Sequence, residues 1–216
     1  MSEIPELKER MDTLIGGVQI QNRYKGKGIG TLACIVYDNE TGAPLGLTNR
    51  HILKGDIGST VIQPHGQPRT EEFIVGRVLR KGGKGKSRDC AVFTLNLENR
   101  KFDTENSIYE LSGKVTEHVE PVKGLKVKKV GQRTGLTYGI VSKIYTNGNF
   151  QVKPNPDREK VKEISYGGDS GALWVTDEDD FKAVGLHRAG EKKKRKPDRA
   201  YAIPISRVLE MLNVRF

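Results

Sequence analysis

The sequence predicts an all-β protein with two lobes, a short helix before them and another helix after them. Short β-branched runs bounded by Gly, Asn, Asp and Pro recur along the chain without helical segments between them, which is typical of an antiparallel sandwich or barrel. A polar, weakly patterned stretch at 101–123 separates two groups of such runs. The 216 residues are enough for one domain or for two closely fused lobes.

Each element follows from its own local pattern. Residues 2–14 carry apolar side chains at helical spacing and predict an amphipathic N-terminal helix. The predicted strands cover 31–37, 44–48, 59–63, 73–80 and 90–96 in the first group, and 125–131, 138–146, 150–153, 172–175, 182–187 and 200–204 in the second. Helical spacing returns at 205–214 and predicts a C-terminal helix. We therefore expect an N-terminal extension at 1–17, a first lobe at 18–113 and a second lobe at 114–216.

The composition favours a soluble globular protein that is not a membrane protein. Hydrophobic residues make up 35% of the chain and charged residues 30%, and no apolar run approaches the length needed to cross a bilayer. The N-terminus has early acidic residues and lacks the apolar segment of a secretory signal. Cys34 and Cys90 lie in apolar runs, where buried free thiols are favoured over a disulfide. We expect a reduced, cytoplasmic protein.

The charge is strongly positive, with a formal value of +10. Much of the excess falls in two short stretches, 80–88 and 191–199. Neither stretch has interleaved aromatic residues or lies on an amphipathic helix, so solvated surface loops are the favoured interpretation. Nucleic acid is therefore an unfavoured partner. Binding to it through these loops stays open as an alternative function, one that predicts a steep dependence on salt.

One serine raises the question of catalysis. Ser170 lies in "YGGDSGALWV", where glycines and an aspartate also suit a plain turn. A serine hydroxyl attacks at neutral pH only with a base beside it, and the base needs an orienting carboxylate. His51 follows an apolar run in "GLTNRHILKG", and Asp89 precedes one in "SRDCAVFTLN", although a core histidine and a strand-start aspartate are the simpler interpretations. The four histidines have no metal-ligand spacing, so we expect no metal and no organic cofactor.

Taken together, "LTNRHIL", "RDCAVF" and "GGDSGALWV" resemble the motifs of chymotrypsin-fold serine endopeptidases in order and rough spacing. "KVGQRTGLTYGIV" and the C-terminal end extend the similarity over about 16–214, and it is closest to the bacterial glutamyl-endopeptidase-like branch. The resemblance implies two six-stranded antiparallel β-barrels and a protein or peptide substrate. It also implies a triad of His51, Asp89 and Ser170, with the backbone amides of Gly168 and Ser170 forming the oxyanion hole.

The resemblance further implies how the substrate is recognised. In glutamyl endopeptidases a histidine and a hydroxyl residue contact the acidic side chain before the cut, and His187 and Ser165 match them. Activation has two open interpretations: cleavage before Ile15 would free an amine to pair with Asp169, or the N-terminal segment simply packs on the body. The alternative to an enzyme is a catalytically silent binding module of the same fold. A regulatory protein partner stays unidentified.

Overall fold

The computed structural model describes residues 5–24, 27–68, 70–98, 100–158, 163–191 and 198–216, which form a predominantly β structure. The strands are β1 (Thr13–Leu14), β2 (Gln19–Tyr24), β3 (Lys27–Thr31), β4 (Ile35–Asp38), β5 (Pro44–Thr48), β6 (Thr60–Ile62), β7 (Ile74–Lys81), β8 (Ala91–Thr94), β9 (Lys101–Phe102), β10 (Lys126–Gly131), β11 (Gly135–Ile144), β12 (Phe150–Pro154), β13 (Leu173–Thr176), β14 (Ala183–Gly190), β15 (Ala200–Pro204) and β16 (Val214–Arg215). A 3-10 turn covers Pro5–Lys8, and helix α1 covers Ile205–Leu212. No helix within these residues is long and apolar enough to span a membrane.

The second lobe is a closed antiparallel barrel in the order β10-β11-β12-β15-β14-β13. Side chains alternate between inside and outside along its strands, and the buried positions of β11 recur at every second residue. Trp174 and Phe150 are fully buried in its core. Gly185 makes room for one of them, because a Cβ at this position would lie 2.4 Å from the Phe150 ring.

The first lobe is a curled half-barrel sheet in the order β16-β4-β5-β8-β7-β6-β2-β3. Phe93 of β8 is fully buried and lies over Gly46 of β5, where a Cβ would come within 2.2 Å of the ring. The outermost strand of this sheet, β16, comes from the other end of the chain, since Val214 pairs with Asp38 of β4. The sheet therefore contains both early and very late segments of the sequence.

Helix α1 carries the chain from the second lobe to the edge of the first. It begins directly after β15, and its buried side chains recur at helical spacing at Ile205, Val208, Leu209 and Leu212. Asn213 ends the helix in the left-handed conformation, with φ of 50°, which asparagine tolerates better than most residues. This reversal turns the chain into β16.

The two-lobed all-β prediction is confirmed, as are most of its strands and the C-terminal helix. Strands β2 and β3 were not predicted, because "QIQNRY" is polar and "KGIGT" contains two glycines. Distant partners satisfy the polar side chains of β2: Gln19 donates to the side-chain oxygen of Gln132 at 2.9 Å, and Gln21 accepts from the amide of Gly66 at 3.1 Å. The lobe boundaries at 18–113 and 114–216 remain predictions.

The prediction of a helix over 2–14 is wrong for most of its length. Residues 2–4 lie outside the described residues, the helical part is a four-residue 3-10 turn, and Thr13–Leu14 pairs in parallel with Lys101–Phe102. The backbone between the 3-10 turn and β1 forms hydrogen bonds with a distant side chain instead of helical hydrogen bonds within the segment. Gln63 accepts the Met11 amide at 3.0 Å and donates to the carbonyl of Glu9. The apolar spacing still reflects burial, since Leu7 and Leu14 lie in the core.

Both cysteines are free and buried, as the sequence predicts. Burial raises the pKa of the Cys34 thiol above its ordinary value and that of Cys90 to about 12. Neither sulfur is therefore a thiolate near neutral pH, and neither is a nucleophile. The expected cytoplasmic location remains a prediction.

Candidate active site

His51 and Asp89 come together because the strands beside them are hydrogen-bonded neighbours. Thr48, at the end of β5, pairs with Ala91, at the start of β8, so the residues just beyond these strand ends meet at one edge of the sheet. Asp89 Oδ2 lies 2.7 Å from His51 Nδ1, and Asp89 Oδ1 accepts the backbone amide of His51 at 2.9 Å. The His51 side chain is 41% exposed and that of Asp89 only 14%. The carboxylate thus fixes the imidazole from behind and leaves Nε2 available.

Ser170 lies in the turn before β13, and this turn is pressed against the first lobe. The carbonyl of Ser170 accepts the amide of Thr31, at the end of β3, at 2.8 Å. Gly171 has φ of 99°, and a Cβ there would lie 2.1 Å from the carbonyl oxygen of Thr31. Only glycine permits both this conformation and this close approach. The serine is therefore held at the junction of the two lobes.

His51 and Asp89 line one cleft, whereas the Ser170 hydroxyl bonds to Arg188, another residue of its lining. Ser170 Oγ donates to the carbonyl of Arg188 in β14 at 3.0 Å. Arg188 lines a cleft of about 480 Å³ together with His51 and Asp89. The hydroxyl proton is thus directed at a backbone oxygen at the side of this cleft and not at the imidazole.

The turn before the serine presents two backbone amides without partners. Gly168 has φ of 114°, and a Cβ there would lie 2.0 Å from Nε2 of Gln132. The Thr31 hydroxyl donates to the carbonyl of Gly168 at 3.0 Å and so fixes this peptide. Within the described residues, no acceptor is bonded to the amides of Gly168 and Ser170. The geometry is compatible with the predicted oxyanion hole.

Asp169, between these two residues, is a fully buried carboxylate with many donors. It accepts hydrogen bonds from the backbone amides of Arg133, Thr134 and Tyr166 and from the Thr134 hydroxyl. Its Oδ2 also lies 3.3 Å from the Lys129 ammonium of β10, and both side chains are 0% exposed. Burial alone would raise the pKa of Asp169, but the Lys129 charge and these hydrogen bonds hold it below its ordinary value. The pair anchors the turn to the second barrel.

The buried pair bears on the activation hypothesis. An amine freed at Ile15 would have to replace an ammonium that Lys129 already supplies from within the chain. The residue after Ile15, Gly16, is bonded to the carbonyl of Ser107 at 3.1 Å. Sequence reasoning did not find Lys129, although one signal was present. It shares the inward face of its strand with Val127, and a lysine at such a position requires a buried acidic partner.

His187 is fully buried behind Ser165 and hydrogen-bonded at both ring nitrogens. Nε2 lies 2.9 Å from Ser165 Oγ, and Nδ1 accepts the indole N–H of Trp174 at 3.3 Å. Because the indole N–H only donates, Nδ1 carries no proton, and the neutral ring donates through Nε2 to Ser165. Burial, followed by the charge of Lys129, lowers the pKa of His187 to about 3. The proton of the Ser165 hydroxyl is therefore left for another acceptor.

Two further residues shape the surroundings of Ser165. Asp198 Oδ2 accepts the amides of Ile164 and Ser165 at 2.9 and 3.1 Å, and burial raises the pKa of this carboxyl group. A Cβ at Gly190 would lie 2.6 Å from Ser165 Oγ, so the glycine leaves room for this hydroxyl beside β14. Sequence reasoning found Ser165 and His187 but not Asp198 or Trp174, whose partners are 13 or more residues away.

The end of β14 offers an unpaired backbone edge next to the serine. On one side Ala189 and Gly190 pair with Tyr201 and Ala200 of β15. On the other side the backbone hydrogen bonds to β13 and to the turn before it stop at His187, and in the described part of the chain only the Ser170 hydroxyl reaches the carbonyl of Arg188. An extended peptide can add to such an edge as a further strand.

The site shows no arrangement suited to a metal. Across the described ranges, no group of three or more His, Cys, Asp or Glu residues is placed to hold an ion. The one carboxylate that lines the cleft, Asp89, is already bonded to His51.

Comparisons with known proteins give a consistent architecture. No protein-family model and no curated protein matches the chain. Among solved structures, it is similar to Thermobifida fusca Protease A, at 20% identity with a TM-score of 0.66, over 94% of this chain and 97% of that one. It is also similar to a glutamic acid specific serine protease, at 20% identity with a TM-score of 0.68, over 93% of this chain and 98% of that one. A chymotrypsin of Cellulomonas bogoriensis is similar at 18% identity with a TM-score of 0.64, over 94% of this chain and 98% of that one. The protein therefore has the chymotrypsin-like fold of bacterial serine proteases.

Proposed function

We propose that the protein is a serine endopeptidase that cleaves peptide bonds through an acyl-enzyme intermediate. One observation carries the proposal: the His51–Asp89 contact of 2.7 Å lines the same cleft as Arg188, whose carbonyl accepts the Ser170 hydroxyl at 3.0 Å. The fold shared with serine proteases supports it, since a base held by a carboxylate beside a constrained serine is the arrangement that activates a hydroxyl.

In the proposed reaction, Ser170 Oγ attacks the carbonyl carbon of the peptide bond while His51 Nε2 takes the hydroxyl proton. His51 then gives this proton to the departing amine, and the C–N bond breaks to leave an ester on Ser170. A water molecule attacks the ester with His51 again as the base, which releases the acid and restores the serine. Asp89 holds the imidazole tautomer and stabilises the imidazolium. Rotation of the serine side chain away from Arg188 precedes the first step, since catalytic hydrogen bonds often form only with substrate bound.

The amides of Gly168 and Ser170 would stabilise the negative oxygen that forms during each attack. Both are without partners in the described structure, and the peptide of Gly168 is fixed by Thr31. A donor that is already oriented needs no reorganisation during the reaction, and each is typically worth about 3 kcal/mol of transition-state stabilisation.

We further propose that the residue before the cut is acidic. A substrate strand on the open edge of β14 places this side chain near Ser165 and Gly190. The His187–Trp174 bond leaves the Ser165 hydroxyl free to donate to a carboxylate. One structural neighbour, a glutamic acid specific serine protease, utilizes a histidine triad in substrate binding. In this chain the imidazole acts through the serine, because it is itself fully buried.

Labelling with a fluorophosphonate probe tests the triad. We expect stoichiometric labelling of the intact protein, mapped to Ser170 by mass spectrometry. Labelling should disappear in Ser170→Ala and in His51→Ala, and it should persist in the control His65→Ala, which alters an exposed histidine. Labelling that is unaffected by His51→Ala would contradict the proposed base.

A peptide panel tests the acidic preference. The peptides differ only at the residue before the cut, which is Glu, Asp, Gln or Leu, and kcat/KM is measured for each. We expect the acidic peptides to be preferred and Ser165→Ala to remove the preference. Equal rates for Glu, Gln and Leu peptides would contradict this part of the proposal and leave the peptidase activity standing.

A silent binding module remains the second candidate, and the bond from the Ser170 hydroxyl to Arg188 favours it. Such a protein would bind peptides in the cleft without reacting with the probe. Absence of labelling together with measurable peptide binding would assign this function instead.

A further inference from the structure

Basic side chains make up six of the eleven residues that line the cleft beside His51. They are Arg50, Lys54, Lys81, Lys84, Lys86 and Arg188. The single carboxylate in the lining, Asp89, is already bonded to His51. The cleft is therefore strongly positive next to the site where the proposed reaction takes place.

These charges have no directly bonded counterions in the described structure. None of the six side chains forms an ion pair with a carboxylate among the described residues. The Lys81 ammonium donates to the carbonyl of Gly55, and its pKa is lowered by burial and by the nearby charge of Arg50. Arg188 Nε is buried without a hydrogen-bond partner in the same set of residues. Asp56 offsets part of this charge, since it raises the pKa of Lys81, but six cations beside few carboxylates still favour an anionic ligand.

The loop that supplies Lys84 and Lys86 is fixed across the cleft. The carbonyl of Lys86 accepts the side-chain amide of Asn149, which lies just before β12 of the second lobe, at 3.3 Å. The sequence favoured a solvated surface loop for 80–88; in the structure Lys84 and Lys86 are exposed, and they also line one wall of the cleft. For the other basic stretch, 191–199, residues 192–197 lie outside the described residues.

The direction of a bound peptide identifies which substrate residue reaches this cleft. Side chains of an extended chain point alternately to opposite faces. If the residue before the cut points toward Ser165 and Gly190, the next residue back points to the opposite face, where Arg188 and His51 line the cleft.

We propose that the basic cleft binds a Glu or Asp side chain at the second residue before the cut. The proposal rests on the peptidase function and adds a second acidic position to the substrate. A peptide is favoured over nucleic acid because the lining contains no Phe, Tyr or Trp on which a base would stack, and because about 480 Å³ suits a side chain.

Two peptide libraries test the proposal. Both are randomised at the residue directly before the cut, so that neither depends on the specificity proposed there. At the second residue before the cut, one library carries Glu and the other carries Gln. We expect the Glu library to be cut with a kcat/KM about tenfold higher, as several partly exposed charge contacts predict. This ratio should fall toward unity near 1 M salt, where charges are screened within about 3 Å.

Charge-neutralising variants assign the effect to this cleft. The double variant Lys84→Gln, Lys86→Gln should reduce the Glu/Gln ratio to about threefold, as expected when part of the cluster is lost. The control Lys123→Gln removes one positive charge from an exposed position outside the cleft lining, and it should leave the ratio unchanged. A wild-type ratio below twofold, or a ratio that survives the double variant, would overturn the proposal.

A binding measurement separates failure of this proposal from failure of the proposed function. Fluorescence anisotropy on Ser170→Ala compares the same Glu and Gln libraries without any cleavage. Cleavage of both libraries at equal rates would refute the acidic position while the peptidase function stands. If neither library is cut and the probe does not react, the peptidase function fails. A thymidine oligomer that binds more tightly than the Glu library, and loses this affinity in the double variant, would assign the cleft to nucleic acid and refute the proposal.

Discussion

Protonation of the buried imidazole provides a quantitative test of the arrangement around His187. The ring is fully buried, and its Nδ1 accepts a hydrogen bond from Trp174, so the native state resists protonation. Its pKa is about 3, against an ordinary value of 6.5. As the pH falls below 6.5, the unfolded chain binds a proton at this position and the native chain does not. Stability is therefore fully present above pH 6.5, falls with decreasing pH, and stops falling from this cause below about pH 3.

The size of the effect follows from the two pKa values. Well inside this interval each pH unit corresponds to about 1.4 kcal/mol, but the unfolded imidazole is only half protonated at pH 6.5. The native state should therefore lose about 2.3 kcal/mol between pH 6.5 and 4.5 from His187 alone. Replacement by glutamine, which does not titrate, removes this contribution whatever its effect at pH 7. The informative quantity is thus the change in the free energy of unfolding with pH, and not the free energy of unfolding at any single pH.

Urea unfolding at several pH values measures the difference. All proteins carry Ser170→Ala to prevent self-cleavage, and His187→Gln is compared with the parent and with the exposed-site control His65→Gln. We expect the parent and the control to lose about 2.3 kcal/mol more than His187→Gln between pH 6.5 and 4.5, a midpoint difference of about 1 M urea. Parallel curves for all three proteins would show that the native imidazole protonates freely and would refute the assigned tautomer.

Three other changes test the catalytic turn and its supports. Asp89→Asn should reduce kcat/KM for a cleaved peptide by about 10⁴-fold, because the imidazole then adopts the wrong tautomer; a loss below tenfold would contradict this role. Lys129→Met leaves a buried carboxylate unpaired and should cost about 3–5 kcal/mol in urea unfolding, whereas the control Lys128→Met, on the less buried neighbour, should cost under about 1 kcal/mol. Gly168→Ala should reduce kcat/KM about 100-fold or more, because a Cβ at φ of 114° and 2.0 Å from Gln132 Nε2 displaces the turn and misorients the oxyanion donor. Gly124→Ala, at another positive φ but with open space around its Cβ, should leave kcat/KM unchanged.

The fold was predictable where single segments carry the information. β-Branched runs such as 59–63 and 73–80 correspond to strands because their side chains suit a half-buried pleated surface. Strands β2 and β3 were missed because their stability comes from distant partners, such as the Gln19–Gln132 contact, and not from local apolar spacing. The N-terminal segment has the spacing of a helix, but Gln63 binds its backbone in a non-helical form.

The candidate site was predictable to the extent that its motifs are contiguous. His51, Asp89 and Ser170 each lie in a short stretch that resembles a known pattern; the structure pairs His51 with Asp89, and the triad as a whole remains a prediction. Lys129 and Trp174 have no such stretch around them. Each acts through one buried partner, 40 residues away for Lys129 and 13 for Trp174, and only folding shows the pairing.

Helix α1 and strand β16 link the second lobe to the edge of the first, and this link bears on the geometry of the cleft. The serine turn belongs to one lobe and the imidazole to the other, so their alignment depends on how far the lobes can slide past each other. Pairing of Val214 with Asp38 closes the chain into a loop of both lobes and opposes such sliding. A misplacement of about 1 Å between reacting groups can cost about 100-fold in rate. Val214 and Arg215 of β16, although remote from the chemistry, thus limit the sliding of one lobe past the other.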